Sequence, residues 1–173
     1  SFEVVFGNDG DGRLITYIHE HLFNALRGRA ELLSPPFYFP QANVLGYTDA
    51  FLLNALPFSA LRAIGLDPFL ALQILAIGLS LACFLSSLAI SRRYLRLSPE
   101  LAIAAAILIT FPSNLMFKTA EAHPNFFALY YVPCLALLAL SAVETFPRPT
   151  RWSLLRAVSF GLLYGLLFST SFY

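Results

Sequence analysis

Four apolar stretches, each about as long as a membrane-crossing helix, constrain this chain more than any other feature. A helix that crosses the hydrocarbon core of a bilayer needs about 20 predominantly apolar residues. The stretches cover about residues 68–90, 99–117, 125–143 and 152–172. The sequence therefore predicts an all-α membrane protein with about four transmembrane helices in these 173 residues.

The composition argues against a water-soluble domain, a disordered chain and a nucleic-acid-binding protein. Only 12% of the residues are Asp, Glu, Lys or Arg, about half of the roughly 25% that is typical of soluble domains. Disorder requires low hydrophobicity and high charge, and this chain has neither. A net charge of +1 does not provide the basic patch that a nucleic-acid partner requires.

Helix-start signals precede the apolar stretches. Asp67-Pro68 and Ser98-Pro99 each place an N-cap residue before proline at the first helical position. Trp152 is an interfacial anchor for the fourth stretch, and Ser153 is its expected cap.

Arginine is concentrated in alternate loops. The loops after the first and third stretches, together with the start of the fourth, carry six arginines: Arg92, Arg93, Arg96, Arg148, Arg151 and Arg156. The positive-inside rule places these loops in the cytoplasm. Residues 118–124 and the N-terminal segment then lie together on the exoplasmic face.

Residues 1–66 are expected to be the first exoplasmic loop with interfacial helices, ahead of a transmembrane helical bundle at 67–173, and the first fifty residues are the polar part of the chain. Apolar residues recur at helical spacing from Leu14 to Leu26, which predicts an amphipathic helix resting on the membrane. A proline- and aromatic-rich loop follows. Residues 50–64 are apolar but short; a helix in the interface fits them better than a fifth span, which would reverse the side of every later loop.

Acidic residues and one histidine collect on the predicted exoplasmic face. They are Asp9, Asp11, Asp49, Glu121 and His123. A carboxylate partly shielded from water acts as a general base when desolvation raises its pKa. The alternative is that each is an ordinary solvated loop charge.

Gly10-Asp11-Gly12-Arg13 is the most specific local feature of this group. Glycine on both sides permits a tight turn and leaves the carboxylate accessible. Arg13 can pair with Asp11 or hold a phosphate. The alternative interpretation is a turn in which Asp11 caps the following helix, and spacing alone does not separate the two.

His19, Glu20 and His21 do not predict a metal site, because adjacent residues on a helix point about 100° apart. No predicted span carries a charge near its centre, which argues against a pump or a channel.

Several motifs in this order resemble bacterial polytopic glycosyltransferases of the GT-C type. They are GDGRLxxYxxEH, PPFYFPxxNVLGYTD, LPFxALRxxGLDPxxA, AHPNF with a following YVP, and GLLYGLLFSTSFY. The resemblance implies a GT-C-like bundle in a bacterial inner membrane, with its active face exoplasmic. It also implies a helix before Ser1 and further helices after Tyr173, so we expect an internal fragment of a longer protein.

The resemblance also implies functional residues. The family's catalytic base, or acceptor-orienting acid, corresponds to Asp11, with Asp9 as the alternative within the same motif. Asp49 corresponds to a second recurrent acid, while Glu121 and His123 fall where the family places further polar groups.

The expected reaction transfers a sugar from a polyprenyl-phosphate donor, with Arg13, Lys118 or His123 stabilising the departing phosphate. Membrane lipid is the expected surrounding partner. No metal site is expected, although a divalent cation is compatible with the reaction. A non-catalytic subunit of a larger membrane complex, or less favourably a transporter, is the alternative function.

Overall fold

The described part of the chain is helical. This computed structural model describes residues 11–47, 49–112, 124–145 and 150–168, and no strand occurs among them. The α-helices are α1 (Asp11–Leu26), α2 (Leu52–Ala63), α3 (Pro68–Arg93), α4 (Pro99–Thr110), α5 (Tyr131–Thr145) and α6 (Arg151–Phe168). Short 3-10 helices occupy Pro36–Tyr38, Val44–Gly46 and Pro124–Tyr130. The prediction of an all-α fold is confirmed for these residues.

Two of the three predicted caps are confirmed, and the third is shifted. Asp67 accepts hydrogen bonds from the backbone N–H of Phe69 (2.9 Å) and of Leu70 (3.3 Å), so it caps α3. Ser98 caps α4 through the N–H of Leu101. At α6 the cap is Thr150 rather than Ser153. The Thr150 hydroxyl accepts from the Ser153 N–H, and the Ser153 hydroxyl accepts from the Thr150 N–H, a reciprocal capping arrangement.

Two described helical segments are long and apolar enough to cross a membrane. They are Pro68–Arg93 and Phe127–Thr145, where the second combines the end of the 3-10 turn with α5. Only 28% and 22% of their apolar stretches are buried in the chain. A core helix of a water-soluble protein would bury most of that surface, so these segments present an apolar exterior.

The second and fourth predicted spans correspond to shorter or more polar helices. Helix α4 has 12 residues, and the rest of the predicted span at 113–117 lies outside the described residues. Helix α6 has 18 residues but carries Arg151 and Arg156 in its first two turns, and it is not among the segments that qualify by length and composition.

Residues 50–64 do not form a fifth span. Helix α2 has 12 residues and rises about 18 Å, well short of the roughly 30 Å hydrocarbon core. It packs against α1, α3 and α6. We refer to the described residues of 11–63, with α1, α2 and their connection, as the cap layer, because they cover one end of the bundle.

The bundle has two chemically different ends. At the end away from the cap layer, Arg93 of α3 pairs with Glu144 of α5 (N···O 2.7 Å), and the Tyr94 hydroxyl donates to the same carboxylate. At the cap-layer end, the Tyr131 hydroxyl at the start of α5 donates to Asn54 of α2 (2.8 Å). Helices α3 and α5 are therefore parallel, and the arginine-bearing loop after α3 lies opposite the cap layer.

Small residues let α3 and α4 pack closely. On α3 they are Cys83, Ser87 and Ser91, and on α4 they are Ala102, Ala106 and Thr110; in each set the members are four residues apart and buried. Small side chains at this spacing let two backbones approach, which is the main packing device between helices in lipid. The Thr110 hydroxyl also donates to Cys83 Sγ (3.6 Å), and the Ser86 hydroxyl donates to Cys134 Sγ of α5.

Replacing Ala106 by leucine should destabilise the α3–α4 pair. Ala106 is fully buried, so three added carbons must displace α3, at a cost of about 1–3 kcal/mol. Denaturant unfolding in detergent micelles measures this loss. Ala104→Leu is the matched control, because residue 104 is exposed on the same helix. Equal losses for both variants would contradict the packing described for α4.

Candidate functional site

The cap layer is held to the bundle by two apolar clusters. The first joins α1 to α2 and their connection through Ile15, Ile18, Leu22, Leu45, Ala50, Phe51 and Ala55. The second joins Phe23 of α1 and Phe58 of α2 to the first four turns of α3 and to Phe127. Because both clusters are buried, the cap layer is fixed against the end of the bundle.

The buried face of α1 differs from the one that the sequence predicts. The predicted apolar stripe is Leu14, Ile18, Leu22, Ala25 and Leu26. The face that is actually buried is Ile15, Ile18, His19, Leu22 and Phe23. Leu14 and Leu26 are exposed, since α2 packs beside them on the face that includes His19. The helix is amphipathic as predicted, but its main apolar face contacts protein rather than a membrane surface.

Two of the acids implied by the GT-C resemblance lie in the cap layer. Asp11 is the first residue of α1, one helical turn before Ile15 of the first cluster. Asp49 is half-buried and directly precedes Ala50 and Phe51 of the same cluster. The fold therefore brings the backbone of both acids to the border of one cluster.

The other predicted site residues are placed as follows. Arg13 is exposed on the first turn of α1. Asp9, Lys118, Glu121 and His123 lie outside the described residues. After that gap the chain resumes at Pro124, and Phe127 packs with Phe23 and Phe58 at the cap-layer end of the bundle.

An ion pair joins α1 to α2. Two guanidinium nitrogens of Arg62, Nε and Nη2, donate hydrogen bonds to the Glu20 carboxylate, at N···O distances of 2.7 and 2.9 Å. Arg62 also donates to the Leu66 carbonyl and lies over the Phe23 ring, so it links α1, α2 and the start of α3. The hydrogen bonds that Arg62 donates to the Glu20 carboxylate raise the pKa of Arg62 above its ordinary value, in spite of partial burial.

His19 is fully buried at the α1–α2 interface. Its Nδ1 lies 2.8 Å from the Ile15 carbonyl oxygen, which makes Nδ1 the protonated nitrogen. Its ring packs between those of Phe51 and Phe58, at centroid distances of 5.4 and 5.1 Å. Burial lowers the pKa of His19 from 6.5 to about 4, so the ring is neutral at pH 7. Nε2 has no hydrogen-bond partner among the described residues.

Asn54 is a second fully buried polar group in the cap layer. Its Oδ1 accepts from the Tyr131 hydroxyl, while Nδ2 has no partner among the residues that the structure describes. Asn54 shares one face of α2 with Phe51 and Phe58, the two rings that His19 contacts. The cap layer therefore buries three polar atoms without a partner among the described residues: an acceptor on His19, a donor on Asn54 and the hydroxyl of Ser59.

The described residues do not assemble a metal site. His19 bonds its own helix, Glu20 pairs with Arg62, and His21 Nε2 lies 3.3 Å from the Leu32 carbonyl oxygen. The three side chains thus diverge, as their spacing predicts. Within the described ranges no group of three or more His, Cys, Asp or Glu residues could hold a metal ion.

Sequence reasoning missed the polar contacts that fix the cap layer. Glu20–Arg62 joins residues 42 positions apart and Asn54–Tyr131 joins residues 77 positions apart, so no local spacing reveals either pair. The only local signal for Asn54 was an amide in an otherwise apolar run, between Phe51 and Phe58 at helical spacing.

Comparisons with protein families, with curated proteins and with solved structures find no match to this chain. The function is therefore argued from its own residues.

Lowering the pH from 7 to 5 should destabilise the fold through His19. The folded-state pKa of about 4 lies below the unfolded value of 6.5. The stabilisation is therefore complete above pH 6.5 and is lost as the pH falls toward 4, by about 2 kcal/mol at pH 5. Thermal unfolding of wild type and His19→Gln at both pH values measures the effect. If the stability of His19→Gln depended on pH in the same way as that of wild type, titratable groups other than His19 would be the cause.

Removing the Glu20 carboxylate should cost about 1–2 kcal/mol of unfolding free energy, because Arg62 loses two charge-assisted hydrogen bonds in a largely buried place. The side chains of Arg62 and Glu20 are only 19% and 28% exposed. Glu144→Gln is the matched control for Glu20→Gln, since the Arg93–Glu144 pair is 59% and 46% exposed and should contribute less than about 1 kcal/mol. Denaturant unfolding that gave the larger loss for Glu144→Gln would reverse this ranking.

Proposed function

We propose that this chain belongs to an integral membrane glycosyltransferase of the GT-C type, which transfers a sugar from a polyprenyl-phosphate donor to an exoplasmic acceptor. The observation that carries the proposal is the cap layer. It places Asp11 of the GDGR motif and Asp49 of the YTD motif at one end of helices that are suited to a bilayer. A lipid-linked donor presents its phosphate at that depth, so acids held there are well placed for the transfer.

The proposed orientation follows from the charges at the two ends of the bundle. Arg92, Arg93 and Arg96 lie at the end of α3 opposite the cap layer, and α6 begins with Arg151. The positive-inside rule assigns this end to the cytoplasm. The cap layer then faces the exoplasmic side of a bacterial inner membrane, and α4 and α6 complete the four spans.

The proposed reaction is a direct displacement at the anomeric carbon of the donor sugar. The acceptor hydroxyl oxygen forms a bond to that carbon, and the bond between the carbon and the phosphate oxygen breaks. Asp11 accepts the hydroxyl proton or orients the acceptor, and Asp9 is the alternative in the same motif. The polyprenyl phosphate departs with the bonding electron pair.

Positive groups on the same face support departure of the phosphate. Arg13 is exposed two residues after Asp11, where a guanidinium can bind a phosphate through two hydrogen bonds. Lys118 and His123 are the further candidates for stabilising the growing negative charge, with Glu121 contributing to substrate binding. The proposal requires no metal ion and no nucleotide.

A second function, that of a non-catalytic transmembrane subunit, is favoured by the surface of α6. Leu154, Leu155, Val158, Leu162 and Phe168 are all exposed, and Ser153 is the buried residue of the helix. Such a surface suits helices of a partner protein as well as lipid. The subunit hypothesis predicts that the cap-layer acids affect assembly rather than a reaction.

Asp11→Asn should abolish sugar transfer while leaving membrane insertion intact, because asparagine keeps the shape and the capping capacity of aspartate but cannot accept the proton. The measurement is the transfer of radiolabelled sugar from polyprenyl-phosphate hexoses to native lipid acceptors, in membranes that contain the protein. Asp67→Asn is the matched control: it removes an acid that caps α3, and asparagine caps equally well.

The outcomes separate the hypotheses. Transfer by wild type and Asp67→Asn, but not by Asp11→Asn, supports the enzyme and the role of Asp11. Retained transfer in Asp11→Asn would keep the enzyme and assign the base to Asp9 or Asp49, which the corresponding asparagine variants then test. Absence of transfer in every form, with loss of assembly in Asp11→Asn, would favour the subunit.

A further inference from the structure

The connection between α1 and α2 contains a long uncharged segment. Residues 32–47, the aromatic loop, have no Asp, Glu, Lys or Arg, although charged residues stand on both sides at Glu31 and Asp49. Exposed loops of proteins in water are usually rich in polar and charged residues. An uncharged stretch of this length is therefore unusual for a loop that lies in water.

The aromatic loop is ordered by its own contacts. The Leu45 N–H donates to the Leu33 carbonyl (3.1 Å), and the Asn43 N–H donates to the Ser34 hydroxyl (3.1 Å). These two bonds close the loop at its base. Three residues of the loop are themselves buried, namely Pro35, Val44 and Leu45. The Phe37 ring packs edge-on against the Tyr17 ring of α1.

Two aromatic side chains point away from this ordered base. Phe39 is 87% exposed and Tyr47 is 78% exposed. The fold therefore presents two large rings to the surroundings on a fixed support.

The base of the aromatic loop and the start of a helix suited to crossing a membrane contact neighbouring parts of α1. His21 of α1 holds the Leu32 carbonyl through its Nε2. Two residues further along α1, Phe23 packs with Ala71 and Leu72, in the first turns of α3. The loop is thus connected through α1 to the part of α3 that would enter the hydrocarbon core.

We propose that the aromatic loop inserts Phe39 and Tyr47 into the headgroup region of the bilayer. Aromatic rings favour this depth because they combine an apolar body with a face that tolerates water and polar groups. Since the loop carries no charge, insertion depends on the apolar rings and proceeds in a zwitterionic bilayer without anionic lipid. The inference rests on the membrane residence proposed above and is independent of the sugar-transfer reaction.

The test measures the depth of one tryptophan at a time in vesicles. Trp152 is the single tryptophan of the chain, so Trp152→Phe gives a silent background. Phe39→Trp is added to this background. The protein is reconstituted in two sets of phosphatidylcholine vesicles, whose acyl chains carry bromine either near the headgroup or deep in the chain. Ile77→Trp, at a position 68% exposed on α3, is the control for a lipid-facing site. Acrylamide reports access from water.

The expected result is that bromine near the headgroup quenches the tryptophan of Phe39→Trp more effectively than bromine deep in the chain does. The tryptophan of Ile77→Trp, about 14 Å beyond the start of α3, should be quenched more effectively by deep bromine. Quenching of Phe39→Trp by acrylamide alone would overturn the insertion and leave membrane residence standing. Protection from both quenchers would also overturn it, because a protein surface would then cover the loop. Failure of bromine to quench Ile77→Trp would overturn membrane residence and insertion together.

Discussion

The contact between Phe23, Phe58 and the first turns of α3 is the interaction on which the rest of this structure depends. Phe58 is completely buried, and Phe127 reaches the same cluster from the segment before α5. Burying a phenylalanine side chain stabilises a fold by about 1.5–3 kcal/mol, so three rings in one place join the cap layer, α3 and α5 into one unit. Without this cluster, α1 and α2 would still be joined by their own apolar cluster, but the pair would lose its apolar attachment to α3.

Burying these rings also buries polar groups, and the fold satisfies most of them in specific pairs. Arg62 lies over Phe23 and pairs with Glu20, while Asn54 accepts from Tyr131 at the start of α5. A buried polar group without a partner is costly, so each pair also specifies how α1, α2 and α5 are oriented. His19 Nε2 and Asn54 Nδ2 remain unsatisfied among the described residues, and both lie at the α1–α2 interface.

Much of the helical layout could be predicted from the sequence because its signals are local. Asp67 and Ser98 stand directly before prolines and cap α3 and α4 as expected. The face of α1 could not be predicted in full, since Leu14 and His19 lie about 140° apart on the helical wheel and only the position of α2 decides which of the two is buried. The candidate site follows the same division: the GDGR motif identifies Asp11, but only the fold places it and Asp49 beside one apolar cluster.

The sequence by itself determined that the described chain is helical and that Pro68–Arg93 and Phe127–Thr145 suit a membrane, because long apolar runs and caps act within one segment. Tertiary structure alone decided that residues 52–63 form a helix of the cap layer and that His19 faces the protein interior. It also decided that Glu20 meets Arg62 across 42 residues. The physical reason is the distance along the chain over which each interaction acts. A cap or an apolar run depends on neighbouring residues in the sequence, whereas a helix face becomes buried only when another helix covers it.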